Sequence, residues 1–223
     1  SYTVSSGACS LTGTGSVAVS GSVTGGVLNL NAAGNSLQTV SGGILALGGT
    51  SSTTVAVLRG GNLANAGSLT VASGAFEGVL SGAGALTTTG VVSLGVTLNA
   101  FTGVLTNDGG LAVSTLLGGT NTLSNLSGAS VTLSAVDASL GAVDNAGNLA
   151  FTSTSGTVSL WKLWGNGVTS FVSSGSINEL SGGVVSVGAN LSLGTLSGGD
   201  VTVTGRTALG SLTGGALNLN GAD

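Results

Sequence analysis

Apolar and polar residues alternate along this chain in short bursts. Val27-Leu28-Asn29-Leu30, Ile44-Leu45-Ala46-Leu47 and Val184-Val185-Ser186-Val187 each put apolar residues two apart, and each directly follows a Gly-Gly pair. A period of two places those residues on one face of an extended strand. Each burst predicts a strand of about four residues, too short to bury its apolar face alone. A second set of bursts, such as Leu69-Thr70-Val71 and Leu191-Ser192-Leu193, lies between the glycine pairs and predicts a second wall.

The bursts repeat. The pattern apolar, Ser or Thr, Gly, Gly, any, apolar, small, apolar begins at Val23, Val40, Leu180, Leu196 and Leu212. Weaker copies begin at Leu58, Leu80, Leu105, Leu126, Val143 and Leu163. The mean spacing is about 19 residues, the length of one solenoid turn. Stacking one copy per turn would join Leu28, Leu45, Leu63, Val185, Val201 and Leu217 into a continuous internal column. Antiparallel hairpins would instead favour Asn-Gly or Asp-Gly turns and would not repeat one motif at one period. The predicted fold is all-β: a single right-handed parallel β-helix, or β-solenoid, of about ten coils, right-handed because parallel crossovers take that hand. Residues 1–22 are expected to form the first turn or turns, and 23–223 one continuous repeat domain.

Composition narrows the classes further. Of 223 residues, 43 are Gly and 120 are Gly, Ser, Thr or Asn. Such a chain disfavours helix throughout. The absence of Pro excludes collagen, and 41% hydrophobic residues argues against disorder. Only Arg59, Lys162 and Arg206 are basic against seven acidic residues, too few to neutralise a nucleic-acid backbone, so no nucleic-acid partner is expected. With no His and one Cys, no metal or other cofactor is expected and no internal disulfide framework can form. No apolar run approaches the roughly 20 residues of a membrane-spanning helix.

The Leu-Ser/Thr-Gly-Gly units, the acidic balance and the lack of Cys pairs resemble the β-helical passenger regions of bacterial autotransporters and the filamentous haemagglutinin-type exoproteins. The resemblance covers essentially the whole chain. It implies secretion to the bacterial cell surface and a role in adhesion, aggregation or surface coating. The chain departs from that pattern at Asn218-Leu219-Asn220-Gly221-Ala222-Asp223, which shows neither alternating barrel strands nor a terminal aromatic residue. The expectation is either a passenger cut from its translocator or a separate secreted subunit. The start at Ser1 without Met fits removal of a signal peptide.

Candidate chemistry is sparse. The carboxylates Asp144, Glu179 and Asp200 fall at different phases of the repeat and predict no stacked catalytic cluster. Lys162 and Glu179 each precede a motif start and should face one another on adjacent turns as a surface ion pair. Trp161, Lys162 and Trp164 form the one aromatic and charged cluster and are the candidate glycan or partner contact. There, one Trp is expected to fill the core and the other to cover a loop or neighbour. Phe151 and Phe171 share a phase and should stack inside. Cys9 is expected to be a small buried hydrophobe. The five Thr-x-Thr pairs do not recur at the turn period, which argues against a regular ice-binding face. Uncharged strands near the two ends of the sequence make Tyr2, Val4, Leu217 and Leu219 the candidate end-to-end contacts between copies.

The leading functional expectation is a secreted bacterial surface structural protein, self-assembling into a fibre or coat with an adhesive role, and not an enzyme. The alternative is a cleaved passenger adhesin that binds glycans or neighbouring cells. A polysaccharide-active β-helix enzyme ranks third.

Overall fold

The computed structural model describes residues 2–11, 21–95, 97–114 and 122–221. The side chains of Tyr2, Leu11 and residues 97–100 lie outside the described set. Among the described residues there is no helix; strands, turns and bends account for the chain. It divides into two units, Ser1–Leu111 and Ala112–Asp223. Each is a parallel β-solenoid, and the described residues make about 11 turns in all.

In Ser1–Leu111 the repeat sets the register. Cys9, Leu28, Leu45, Leu63 and Leu80 are successive parallel partners, an inward column from five turns. Val23, Val40 and Leu58 form a second column. All of these except Cys9 are buried; Cys9 is half-buried on top of Leu28. The expected second wall is present: Leu69 and Val71 pair with Thr53 and Val55 on one side and with Leu86 and Thr88 on the other.

Ala112–Asp223 repeats the plan. Val143, Leu163, Leu180, Leu196 and Leu212 are register partners in succession. So are Val131, Leu149, Thr169, Val185, Val201 and Leu217. The rings of Phe151 and Phe171 stack with centroids 4.7 Å apart and an 11° interplanar angle. Both are buried, as their shared phase predicts.

The glycine pairs turn the corners. Gly43 has φ +71°, a region that L side chains rarely occupy. A Cβ at Gly43 would lie 2.5 Å from the Gly26 carbonyl oxygen of the turn below. Gly199 repeats this in the other unit, with φ +88° and a Cβ position 2.6 Å from Gly183 O. Glycine is therefore required twice at each such corner, once by dihedral and once by the close passage of stacked backbones.

Three motif starts are corrected. Leu80 stacks on Leu63, five residues beyond the expected partner Leu58. Leu105 stacks on Leu86, which follows Leu69, and so belongs to the second wall. Leu126 is 39% exposed, and it is Leu123, 2% exposed, that partners Val143. In this middle stretch the corners are built by asparagine and threonine. Asn125 Nδ2 donates to Asn145 Oδ1 at 2.8 Å, and Asn145 Nδ2 donates to Thr169 Oγ1 at 3.0 Å. In the first unit Thr88 Oγ1 donates to Asn107 Oδ1 at 2.8 Å, and Asn65 Nδ2 to the Ala85 carbonyl at 2.8 Å. These six side chains are at most 2% exposed. Stacking lets each satisfy its neighbour, so polar groups are buried without leaving donors orphaned.

Candidate functional site

The outer surface carries rows of small polar residues, because every second residue of each strand points outward, with exposed apolar side chains such as Val91, Val136 and Val172 among them. In Ser1–Leu111, Ser36, Thr54, Thr70, Thr87 and Thr106 are successive partners on the outside of the second wall. This threonine row is one residue wide, which is why a search for Thr-x-Thr pairs does not find it. In Ala112–Asp223 the corresponding row is serine: Ser139, Ser159, Ser176 and Ser192.

One strand interrupts this blandness. Thr157–Trp164 alternates outward and inward until Trp161 and Lys162, two consecutive residues that both reach solvent. The register with the neighbouring turns passes from Leu160 to Lys162 and skips Trp161, so the chain turns a corner there. Trp161 is 64% exposed. Lys162 and Trp164 share the outward face beyond the corner, with Lys162 Nζ 5.9 Å from the Trp164 ring centroid, within cation–π range. Lys162 also pairs with Glu179 on the next turn, Nζ to Oε2 3.3 Å.

The expectation that one Trp fills the core is therefore corrected: Trp161 is exposed and Trp164 half-buried. The interior is already filled by Leu160 and Leu163 from the same strand. Trp161 instead borders an open groove of about 600 Å³ with Ser139, Ser159, Ser176, Asn178 and Gly141. Trp161 and Trp164 thus lie on opposite sides of a corner, and only Lys162, Trp164 and Glu179 form one contact group.

The carboxylates stay apart. Asp144 is the register partner of Trp164, Glu179 of Lys162 and Asp200 of Val184. Asp137 Oδ1 accepts a hydrogen bond from Thr157 N at 2.9 Å, holding the turn before the Trp161 strand. Among the described residues no group of three or more His, Cys, Asp or Glu side chains comes together.

The candidate end-to-end residues are placed as follows. Val4 is buried and pairs with Val23 in the parallel ladder Tyr2–Val4 to Gly21–Val23; the Tyr2 side chain is not among those described. Thr207–Leu219 pairs along one edge with Leu191–Val203. Leu219 is 60% exposed, whereas its partner Val203 is fully buried; Leu217 is half-buried over Val201.

The asparagine corners are the feature that the glycine pattern misses. A signal was present: Asn65-Ala66-Gly67, Asn107-Asp108-Gly109 and Asn145-Ala146-Gly147 are each followed two residues later by Leu. At Asn65 and Asn107 the side-chain oxygen accepts from the amide two residues on, an Asx turn. No helix among the described residues is long and apolar enough to cross a membrane. Fold and surface together define a parallel β-solenoid with sparsely charged outer rows and, among the described residues, one exposed aromatic corner. Comparison with protein-family models, curated proteins and solved structures finds no match.

Proposed function

We propose that this chain is a secreted bacterial cell-surface structural protein, a β-solenoid that self-assembles into a fibre or coat and adheres through its outer rows. The observation that carries the reading is the outside of the solenoid. Turn after turn it presents Ser, Thr and Ala in straight, nearly uncharged rows over an apolar interior. Copies of such a surface meet with little electrostatic repulsion. The proposed role is mechanical and non-enzymatic, in keeping with the adhesion, aggregation or surface coating that the sequence resemblance implies.

Association is proposed to run end to end. The edge of Thr207–Leu219 not paired with Leu191–Val203 would take Tyr2–Val4 and Ala8–Leu11 of a second copy in continuation of the parallel stack, with Val4 at the phase of Leu212 and Ala8–Leu11 beside Leu217 and Leu219. Analytical ultracentrifugation over a concentration series tests this. Larger species should grow with concentration and be lost in Leu217→Asp and Leu219→Asp; a monomer at all concentrations contradicts it. Protease treatment of intact source cells tests the location, since a surface protein is cleaved without lysis.

The second reading, an adhesin that binds glycans, is favoured by the exposed Trp161 beside its groove. It is compatible with the first.

A further inference from the structure

The outer face of Ala112–Asp223 brings together features that no packing requirement explains. Ser139, Ser159, Ser176 and Ser192 stand in one row, one hydroxyl per turn. Strand spacing places successive hydroxyls about 4.8 Å apart. Trp161 stands beside the row, and the residues at its position on the neighbouring turns are Gly141 and Asn178. A glycine on one side leaves room beside the indole, and an amide on the other supplies both a donor and acceptors. None of the four serine hydroxyls, nor the Asn178 amide, is taken up by a side-chain hydrogen bond to another described residue. The groove lined by Ser139, Ser159, Ser176 and Asn178 holds about 600 Å³. It runs across the strands, since its walls come from three successive turns. Ser176 also lines a second hollow of about 450 Å³ bordered by Asn190, Ser192 and Arg206.

We propose that this groove binds an extended, uncharged polysaccharide laid along the serine row, with one sugar ring against the face of Trp161. The inference rests on the adhesive reading and assigns it a site and a ligand class. The chemistry selects a sugar. A pyranose offers a face of C–H groups and a rim of hydroxyls, and the groove offers an exposed indole face beside a row of hydroxyls and an amide. The turn spacing is close to the advance of one ring along an extended glycan, so each turn meets one sugar. The same match repeats along the stack, so weak single contacts combine. Charge selects a neutral polymer. The residues lining the Trp161 groove carry no charge, and Lys162, just past the corner, is already paired with Glu179. Arg206 borders the hollow at the far end of the row. A peptide strand would seek backbone partners, and the interior strands of this face have theirs engaged by neighbouring turns.

Native electrophoresis of the full chain tests the inference, in gels cast with soluble β-glucan, galactomannan or dextran, with polygalacturonate as the charged comparison. At least one neutral polymer should retard the wild type. Trp161→Ala should lower the apparent affinity about tenfold, the loss expected on truncating an exposed aromatic anchor. Trp161→Phe should keep most of it, Ser159→Val should lose part, and Trp164→Ala, across the corner, should bind as wild type. Circular dichroism of Trp161→Ala should match wild type, since the side chain is solvent-exposed. Retardation by no neutral polymer, stronger retardation by polygalacturonate, or unchanged binding by Trp161→Ala each overturns the proposal. Sedimentation of the wild type separates the two readings: failed glycan binding with intact assembly defeats this inference alone, and failed assembly with intact binding defeats only the structural one.

Discussion

Lys162 and Glu179 occupy the same position on adjacent turns, with Nζ and Oε2 3.3 Å apart. Both side chains are nearly half exposed, so the pair fixes the register of the repeat more clearly than it stabilises the fold. Glu179→Gln should reduce stability by less than about 1 kcal/mol. The difference should shrink further in about 1 M salt, where charges are screened over about 3 Å. Urea unfolding at two salt concentrations checks this; a salt-independent loss of several kcal/mol would contradict a surface pair.

The buried asparagines carry a larger stake. Asn145 bridges Asn125 to Thr169 and also donates to the Val168 carbonyl at 2.9 Å. Asn145→Ala leaves those groups without their partner inside the solenoid and should cost about 1–3 kcal/mol. Asn148→Ala, on the exposed side of the next strand, should stay within about 0.5 kcal/mol. Equal urea midpoints for the two variants would refute a structural role for the ladder.

Stability at the glycine corners should track the backbone of the turn below. Gly43→Ala forces a Cβ to within 2.5 Å of Gly26 O in addition to a positive φ. Gly7 has a similar φ, +75°, yet a Cβ there meets nothing within 4 Å. Gly7→Ala should cost about 1–2 kcal/mol from the dihedral alone, and Gly43→Ala distinctly more. Thermal melts of the two variants compare them directly, and a reversed order would contradict the stacking.

Removing one ring of the internal aromatic pair should cost more than any surface change. Phe171→Ala deletes a buried ring stacked at 4.7 Å on Phe151 and should destabilise by about 3–5 kcal/mol. Phe171→Leu should recover much of this. Urea unfolding of both variants measures the difference.

The turns built on glycine pairs were legible in the sequence because one physical demand, a sharp corner under a stacked backbone, admits only Gly. That is why the copies at Val23, Val40, Leu180, Leu196 and Leu212 fall in register. The middle of the chain uses another solution. Where Asn107, Asn125 and Asn145 turn the corner with their side chains, the Gly-Gly signal fades, whereas Asn65 follows the Gly60-Gly61 pair within one strand; Leu80, Leu105 and Leu126 match the motif only by chance. The Trp161 corner was half legible: residue type marked it as unusual, but its separation from Trp164 depends on a bend that alternation alone does not show. The serine row beside it was hidden by composition, because Ser is everywhere in this chain and only the register shows which serines align.

Electron microscopy of the purified protein tests the central claim most directly. End-to-end stacking predicts filaments that lengthen with concentration, and oriented samples should diffract at the 4.7–4.8 Å spacing of parallel strands continuing across subunit boundaries. Leu219→Asp should shorten or abolish them. A field of separate particles at every concentration, unchanged by Leu219→Asp, would contradict the account.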